Sequence, residues 1–119
     1  MDEITVLQAE VLRMLASPRR LEILHRLAAG PCEVGRLAVS MGVSQPNVSQ
    51  HLAVLRAAGL VDADRAGREV HYRLADTDVI VACDIMRGVL ERRLRRLAEL
   101  SSTPTAASAR PAPAAWPTR

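Results

Sequence analysis

The stretch SQPNVSQHLAVLRAAGLV at residues 44–61 decides the fold. Short hydrogen-bonding side chains crowd its first half, whereas alanine and branched apolar residues dominate its second half. Ser44 is a favourable helix N-cap and Pro46 fits the first turn of a helix. Gly59 is typical of the position just after a helix end. We therefore predict a helix from residue 44 to about residue 58, with a polar and exposed N-terminal end.

A shorter helix is predicted just before this one, and the pair has the spacing of a helix-turn-helix. Residues 33–41 (EVGRLAVSM) form that helix, and Gly42 lies in the tight turn. Ala38 is small enough for the point where the two helices cross, and Val48 supplies an apolar residue on the inner face of the second helix. An ordinary helical hairpin could mimic this pattern.

Residues 60–74 (LVDADRAGREVHYRL) predict a β-hairpin. Val70, Tyr72 and Leu74 alternate with polar residues, which is the period of a strand with one wet face. Residues 65–68 form the predicted turn. A hairpin directly after a helix-turn-helix indicates a wing.

The rest of the chain supplies three more helices and a tail. They are predicted over residues 3–15, about 18–29 with Ser17 as N-cap, and about 77–100 with Asp76 or Asp78 as cap. The fold class is therefore mainly α with a small β-hairpin wing, a winged helix-turn-helix over residues 1–100. Residues 101–119 are rich in Pro, Ala, Ser and Thr, and we expect a disordered tail there.

The charge and composition favour nucleic acid over other partners. The net charge is +3, and all sixteen basic residues are arginines. Between residues 16 and 75, eight arginines face five acids, a modest basic bias in the middle of the chain. The chain has one Tyr, one Trp and no Phe, which argues against a protein that stacks single-stranded bases.

Several other classes of protein are not favoured. No stretch approaches the roughly twenty apolar residues of a membrane span, and the N-terminus MDEITVLQAE lacks the layout of a secretion signal. We therefore expect a cytoplasmic protein with no membrane partner. The chain lacks a catalytic triad spacing and a glycine-rich phosphate loop, so we do not expect an enzyme.

The exposed end of the fourth helix is the candidate DNA reader, because such ends enter the major groove. Gln and Asn can bond adenine bidentately, and Ser can bond a base edge or a phosphate. Taken singly, these side chains could instead form a solvated, capped helix start, and the wing arginines could form a solvated turn. The candidates are Ser44, Gln45, Asn47, Ser49 and Gln50 for reading, His51 and Arg56 for the DNA backbone, and Arg65 and Arg68 for a flanking minor groove or phosphates.

Three stretches carry a resemblance to a known family: LASPRRLEIL at 15–24, SQPNVSQHLAVLRAAGLV at 44–61 and GREVHYRL at 67–74. Over about residues 5–98 the chain resembles the ArsR/SmtB-family winged-helix repressors. The resemblance implies a homodimer that binds a double-stranded DNA operator near its own promoter and is released by an inducer. It also implies a dimer interface through the first and fifth helices. The apolar seams of those helices agree with this, and the predicted interface residues are Leu7, Val11, Val79, Cys83, Met86, Leu90 and Leu94.

The family's usual metal sites do not match this sequence. Residues 33–37 read EVGRL and lack a CxC, and Val89 and Arg92 stand where a fifth-helix site needs its later ligands. We therefore expect no required cofactor and no zinc or nickel site. Cys32 and Cys83 remain as candidate sensors of reactive sulfur or an oxidant, or of a soft metal or arsenite as inducer. Cys32 is predicted at the start of the third helix, where the helix dipole favours a thiolate, whereas Cys83 could simply be a small core residue.

Two alternatives remain at this point. The domain could be a winged-helix protein-interaction module, or it could be a repressor with no thiol sensing. The polar start of the fourth helix and the wing arginines argue against the first.

Overall fold

The structure, a computed structural model, describes residues 1–101 of the chain. Within them it has five helices and three strands, and it confirms the predicted order of four helices, a hairpin and a fifth helix. One short strand was not predicted. The predicted tail lies outside the described residues, apart from Ser101, which ends the last helix. The elements are α1 (Glu3–Leu15), α2 (Pro18–Leu27), β1 (Cys32–Glu33), α3 (Val34–Met41), α4 (Gln45–Ala57), β2 (Val61–Ala66), β3 (Glu69–Leu74) and α5 (Asp78–Ser101).

The helices begin where the sequence predicts. The Ser17 hydroxyl accepts a hydrogen bond from the Arg20 amide, and the Ser44 hydroxyl accepts one from the Asn47 amide, each at 3.3 Å. These bonds satisfy amides that have no partner inside the helix. At α5 the Asp76 carboxylate accepts from the Asp78 amide at 2.9 Å. Of the two predicted caps, Asp76 is therefore the acceptor, and Asp78 is the first helical residue.

The turn between α3 and α4 has the predicted helix-turn-helix chemistry. Gly42 adopts a left-handed conformation with φ 69°, which glycine tolerates best. The Val43 amide donates to the Ala38 carbonyl at 3.1 Å, so the last turn of α3 is closed. Ala38 and Val48 are 4% and 0% exposed. Both residues are buried, as the predicted crossing of the two helices requires.

The strands form an antiparallel sheet in the order β1-β3-β2. Ala66 pairs with Glu69, so the hairpin turn has only two residues, Gly67 and Arg68. Gly67 has φ 65° at the first central position, as a type II′ turn requires. The four-residue turn predicted at 65–68 is therefore too long. Arg65 belongs to β2, where it pairs with Val70.

The core of the domain surrounds one face of α4. Helix α4 contacts α2, α3 and β2, and its inner face is fully enclosed. Because this face is fixed by packing, the rotation of α4 about its axis is fixed too, and its opposite face points outward. The fully buried large side chains are Ile23, Leu24, Leu37, Val48, Leu52, Leu55 and Val61.

The chain divides into two compact units, Met1–Ile80 and a second that begins at Val81 inside α5. Each unit exposes large apolar side chains. On α1 these include Leu7, which is 48% exposed, and on α5 they include Met86 and Leu94, at 53% and 65%. The other predicted interface residues are half-buried: Val11, Val79, Cys83 and Leu90. The interface itself stays a prediction.

Helix α5 is the longest helix of residues 1–101, yet charged side chains interrupt its apolar residues throughout. No helix in this part of the chain is long and apolar enough to cross a membrane.

Candidate nucleic-acid interface

The predicted reading residues meet at the N-terminal end of α4. Ser44, Gln45, Asn47, Ser49 and Gln50 are all exposed. All of them except Gln45 line an open depression of about 610 Å³ together with Pro46 and Ala53. The structure thus places Ser44, Asn47, Ser49 and Gln50 along one shallow, water-accessible surface.

Capping of α4 leaves polar groups at its N-terminal end free to form hydrogen bonds with a ligand. The Ser44 oxygen accepts from the Asn47 amide, but its hydroxyl proton is still free to donate to a ligand. The exposed amide of Gln50 can donate and accept at the same time, as the edge of a base requires. This end of α4 therefore offers both donors and acceptors.

Gln45 differs from the other predicted readers because it approaches α3. Its Oε1 lies 3.5 Å from the point that a Cβ on Gly35 would occupy. The Glu33 carboxylate also approaches this point, at 3.1 Å. Gly35 therefore leaves room for two side chains, a role that the sequence analysis missed.

His51 is held by a residue that the sequence analysis also missed. Arg20 Nε donates to His51 Nδ1 at 3.2 Å, and Arg20 Nη1 donates to the Met14 carbonyl at 3.1 Å. Desolvation lowers the pKa of His51, and the positive charges of Arg20 and Arg19 lower it further. The ring predicted to face the DNA backbone is therefore half-buried and bound on one edge to α2.

The wing concentrates positive charge at its tip. Arg65 and Arg68 are exposed, and no residue within 1–101 forms an ion pair with either. Arg73, near the base of the wing, pairs instead with Asp62 at 3.3 Å and with Asp64 at 2.6 Å. The hydrogen bond to Asp64 and the charge of Asp64 raise the pKa of Arg73. Arg56, in the last turn of α4, is also exposed.

Cys32 lies in β1, so the prediction that it begins the third helix is wrong. Its thiol is half-buried and donates to the Glu33 carbonyl at 3.5 Å. The Glu33 carboxylate caps α3 and accepts from the amides of Gly35 at 2.9 Å and Arg36 at 3.2 Å. Because these first-turn amides already serve an anion, the helix-dipole argument for a thiolate at Cys32 no longer applies.

Cys83 is a half-buried thiol in α5, and neither cysteine is in a disulfide. Desolvation, together with the negative charge of Asp84, raises the pKa of Cys83. A raised pKa reduces the thiolate fraction and hence reactivity. Across residues 1–101 no group of three or more His, Cys, Asp or Glu side chains could hold a metal ion.

Solved structures with this architecture cover most of the described chain. The crystal structure of Rv0081 from Mycobacterium tuberculosis is 36% identical, with a TM-score of 0.72, over 81% of this chain and 97% of that one. Residues 17–63 also match the family model described as "Bacterial regulatory protein, arsR family". The chain belongs to the ArsR family. This family consists of regulatory proteins, which agrees with the expectation that the chain is not an enzyme.

Other ArsR-family relatives support the same assignment. The homodimeric winged helix-turn-helix DNA-binding domain of Mb0332 from Mycobacterium bovis is 34% identical, with a TM-score of 0.70, over 76% of this chain and 84% of that domain. The transcriptional repressor SmtB of Mycobacterium tuberculosis is 49% identical over 74 residues, which cover 62% of this chain and 55% of the repressor. The chain thus spans about half the length of this curated relative.

Proposed function

We propose that this ArsR-family protein is a dimeric, sequence-specific DNA-binding transcriptional repressor that an inducer releases from its operator. One observation carries the proposal. The exposed face of α4 presents polar side chains around an open depression, while its opposite face is buried at Val48, Leu52 and Leu55. A packed core thus orients a polar helix end outward.

The major groove of B-DNA admits an α-helix, and its base edges present distinct sets of donors and acceptors. Asn47 and Gln50 carry amides that can bond adenine bidentately, and Ser49 can bond a base edge or a phosphate. Gln45, which approaches α3, contributes less to reading in this arrangement. Arg65 and Arg68 reach phosphates or a flanking minor groove.

A dimer would place two such surfaces on one operator. Exposed apolar side chains on α1 and on α5 support self-association, and the related Mb0332 domain is homodimeric. A two-fold dimer binds two half-sites about one helical turn apart. Binding to the chromosome also requires the cytoplasmic location expected from the sequence.

The test begins with selection of binding sites from a random duplex pool by the full chain. Fluorescence anisotropy then measures the affinity for the selected duplex and for a scrambled one. We expect the Gln45→Ala, Asn47→Ala, Gln50→Ala triple variant to lose the preference while it stays dimeric by sedimentation. Gln8→Ala removes an exposed amide from α1 and serves as the control. A triple variant that still prefers the selected duplex would mean that the reading residues lie elsewhere.

The same experiment also tests the main alternative, in which the winged helix is a protein-interaction module. If the parent protein selects no sequence but still self-associates, the winged helix is an interaction module and the DNA proposal fails.

For the inducer, we propose a thiol-directed signal at Cys32 or Cys83. Cys32 lies at a junction, because β1 pairs it with Tyr72 of β3 and the next residue, Glu33, caps α3. The half-buried sulfur donates to the Glu33 carbonyl, so an adduct on it would break this hydrogen bond beside the cap of α3. Modification there would therefore disturb the helix-turn-helix and the wing together.

The test compares the parent with Cys32→Ser and Cys83→Ser proteins in a gel shift. Each is treated with polysulfide, peroxide, arsenite and Cd(II). We expect Cys32→Ser to lose the response to at least one of them. If both variants respond like the parent to every reagent, the inducer does not act through a thiol, and the protein is a repressor without thiol sensing.

A further inference from the structure

We propose that Arg20 is a positioning residue that fixes the tautomer of His51, so that His51 Nε2–H donates a hydrogen bond to a DNA phosphate. The phosphate contact rests on the proposed function, whereas the tautomer does not.

Only one neutral tautomer of His51 is compatible with the hydrogen bond from Arg20. A guanidinium has five N–H donors and no acceptor. Since Arg20 Nε donates to His51 Nδ1 at 3.2 Å, Nδ1 must be unprotonated. A neutral imidazole carries one proton, which must then be on Nε2. Arg20 thus makes the far edge of the ring a donor.

Arg20 is well placed for this role because it is held at two ends. Its Nη1 donates to the Met14 carbonyl near the end of α1, and Ser17 caps its own backbone amide. The guanidinium therefore has a fixed position when it meets the ring. Because the donor that Nδ1 meets is fixed, the plane of the His51 ring is also held relative to α4.

The Nε2 atom is accessible to a ligand. His51 has no second hydrogen bond within residues 1–101. No buried side-chain nitrogen or oxygen in this part of the chain lacks a partner, so the unpartnered Nε2 must reach solvent. His51 follows Asn47 by four residues, which places both on one side of α4. His51 is not among the residues that line the depression, so a phosphate bound at Nε2 would lie beside the reading residues, on the side of Asn47.

The first test uses the protein without DNA. Long-range proton–nitrogen NMR of protein labelled at the histidine ring nitrogens distinguishes the two tautomers. We expect an unprotonated Nδ1 and a protonated Nε2 for His51 at neutral pH, and a mixture of tautomers in Arg20→Met. A proton on Nδ1 in the parent, or no change in Arg20→Met, would overturn the role of Arg20.

The second test uses the duplex selected by the parent protein and two isosteric variants. His51→Asn keeps an acceptor near Nδ1 for Arg20 but has no donor at Nε2. His51→Gln places an amide N–H near Nε2 but lacks the Nδ1 acceptor. We expect His51→Asn to bind about 100-fold more weakly, because the dimer loses one hydrogen bond to a charged phosphate in each half-site at about tenfold each, and His51→Gln to retain more of the affinity.

Salt dependence separates a neutral donor from a charged one. A neutral Nε2–H releases no counterion, so the slope of log K against log salt should be the same for His51→Asn and the parent. A slope smaller by about 0.9 per contact would show an imidazolium instead, and parent-like affinity of His51→Asn would exclude the contact. If the parent binds no duplex, the phosphate contact fails with the proposed function, while the NMR result still decides the tautomer.

Discussion

Removal of the two arginines at the wing tip should reduce the salt dependence of DNA binding by a calculable amount. Arg65 and Arg68 are exposed and lack an ion-pair partner within residues 1–101. A dimer with both changed to alanine loses four phosphate contacts, so the slope of log K against log salt should shrink by about 3.6. Between about 50 and 200 mM salt, the ratio of parent to variant affinity should then change by roughly 150-fold.

The assay is an anisotropy titration of the selected duplex at four or more salt concentrations. A matched control is Arg19→Ala, Arg26→Ala, which removes the same charge from α2, where both arginines pair with Glu22. We expect this control to keep the parent slope. If the control changes the slope as much as the wing variant does, net charge alone is responsible, and the wing makes no local contact.

A lysine version of the wing variant resolves what the arginines touch. Arg65→Lys, Arg68→Lys preserves the charge, so phosphate contacts should keep both the slope and most of the affinity. A site that needs planar guanidinium groups in a narrow minor groove should lose affinity at an unchanged slope.

Three further predictions concern stability. The pKa of His51 in the folded protein is lowered from 6.5, so below pH 6.5 the unfolded chain binds more protons than the folded chain. The free energy of unfolding, measured by urea titration, should therefore fall as the pH drops below 6.5, and it should fall less in His51→Asn. Gly42 has φ 69°, so Gly42→Ala should lower the free energy of unfolding by about 1 kcal/mol, and Gly42→Asn should lower it less. Equal losses in the two variants would contradict the left-handed turn. Ser44→Ala should lose about 1 kcal/mol with the cap, whereas Ser44→Asp should keep the stability and weaken DNA binding, so equal DNA affinities would place Ser44 outside the interface.

The parts of the fold that depend on neighbouring residues could be predicted from the sequence. Ser17 and Ser44 cap helices through amides three residues away, and Gly42 ends α3 through its own backbone conformation. The spacing of the helix-turn-helix likewise predicts Val48 on the inner face of α4, and Val48 is buried. Each of these features depends on a few consecutive residues, so the pattern along the chain was sufficient.

The parts that were missed depend on residues far apart in the chain. A strand of two residues has no periodicity, and β1 exists only because Cys32 and Glu33 pair with β3. The hydrogen bond between Arg20 and His51 joins residues 31 positions apart. The sequence predicts Arg65 in the turn, whereas the two-residue turn at Gly67 and Arg68 sets a register that pairs Arg65 with Val70.

The distribution of the arginines explains how a net charge of only +3 is compatible with DNA binding. Of the eight arginines between residues 16 and 75, half are tied to other groups of the protein. These lie on α2 and near the base of the wing, and they are Arg19, Arg20, Arg26 and Arg73.

The other four arginines have no ion pair within residues 1–101. All four are exposed and belong to the helix-turn-helix or to the wing tip: Arg36, Arg56, Arg65 and Arg68. Glu22 offsets one of the two charges of Arg19 and Arg26. Asp62 and Asp64 offset the charge of Arg73, whereas Arg20 donates to neutral groups. The arginines of α3, α4 and the wing tip keep their charge without an ion pair in this part of the chain. Arg36, which the sequence did not single out, joins the candidates for phosphate contact on this basis.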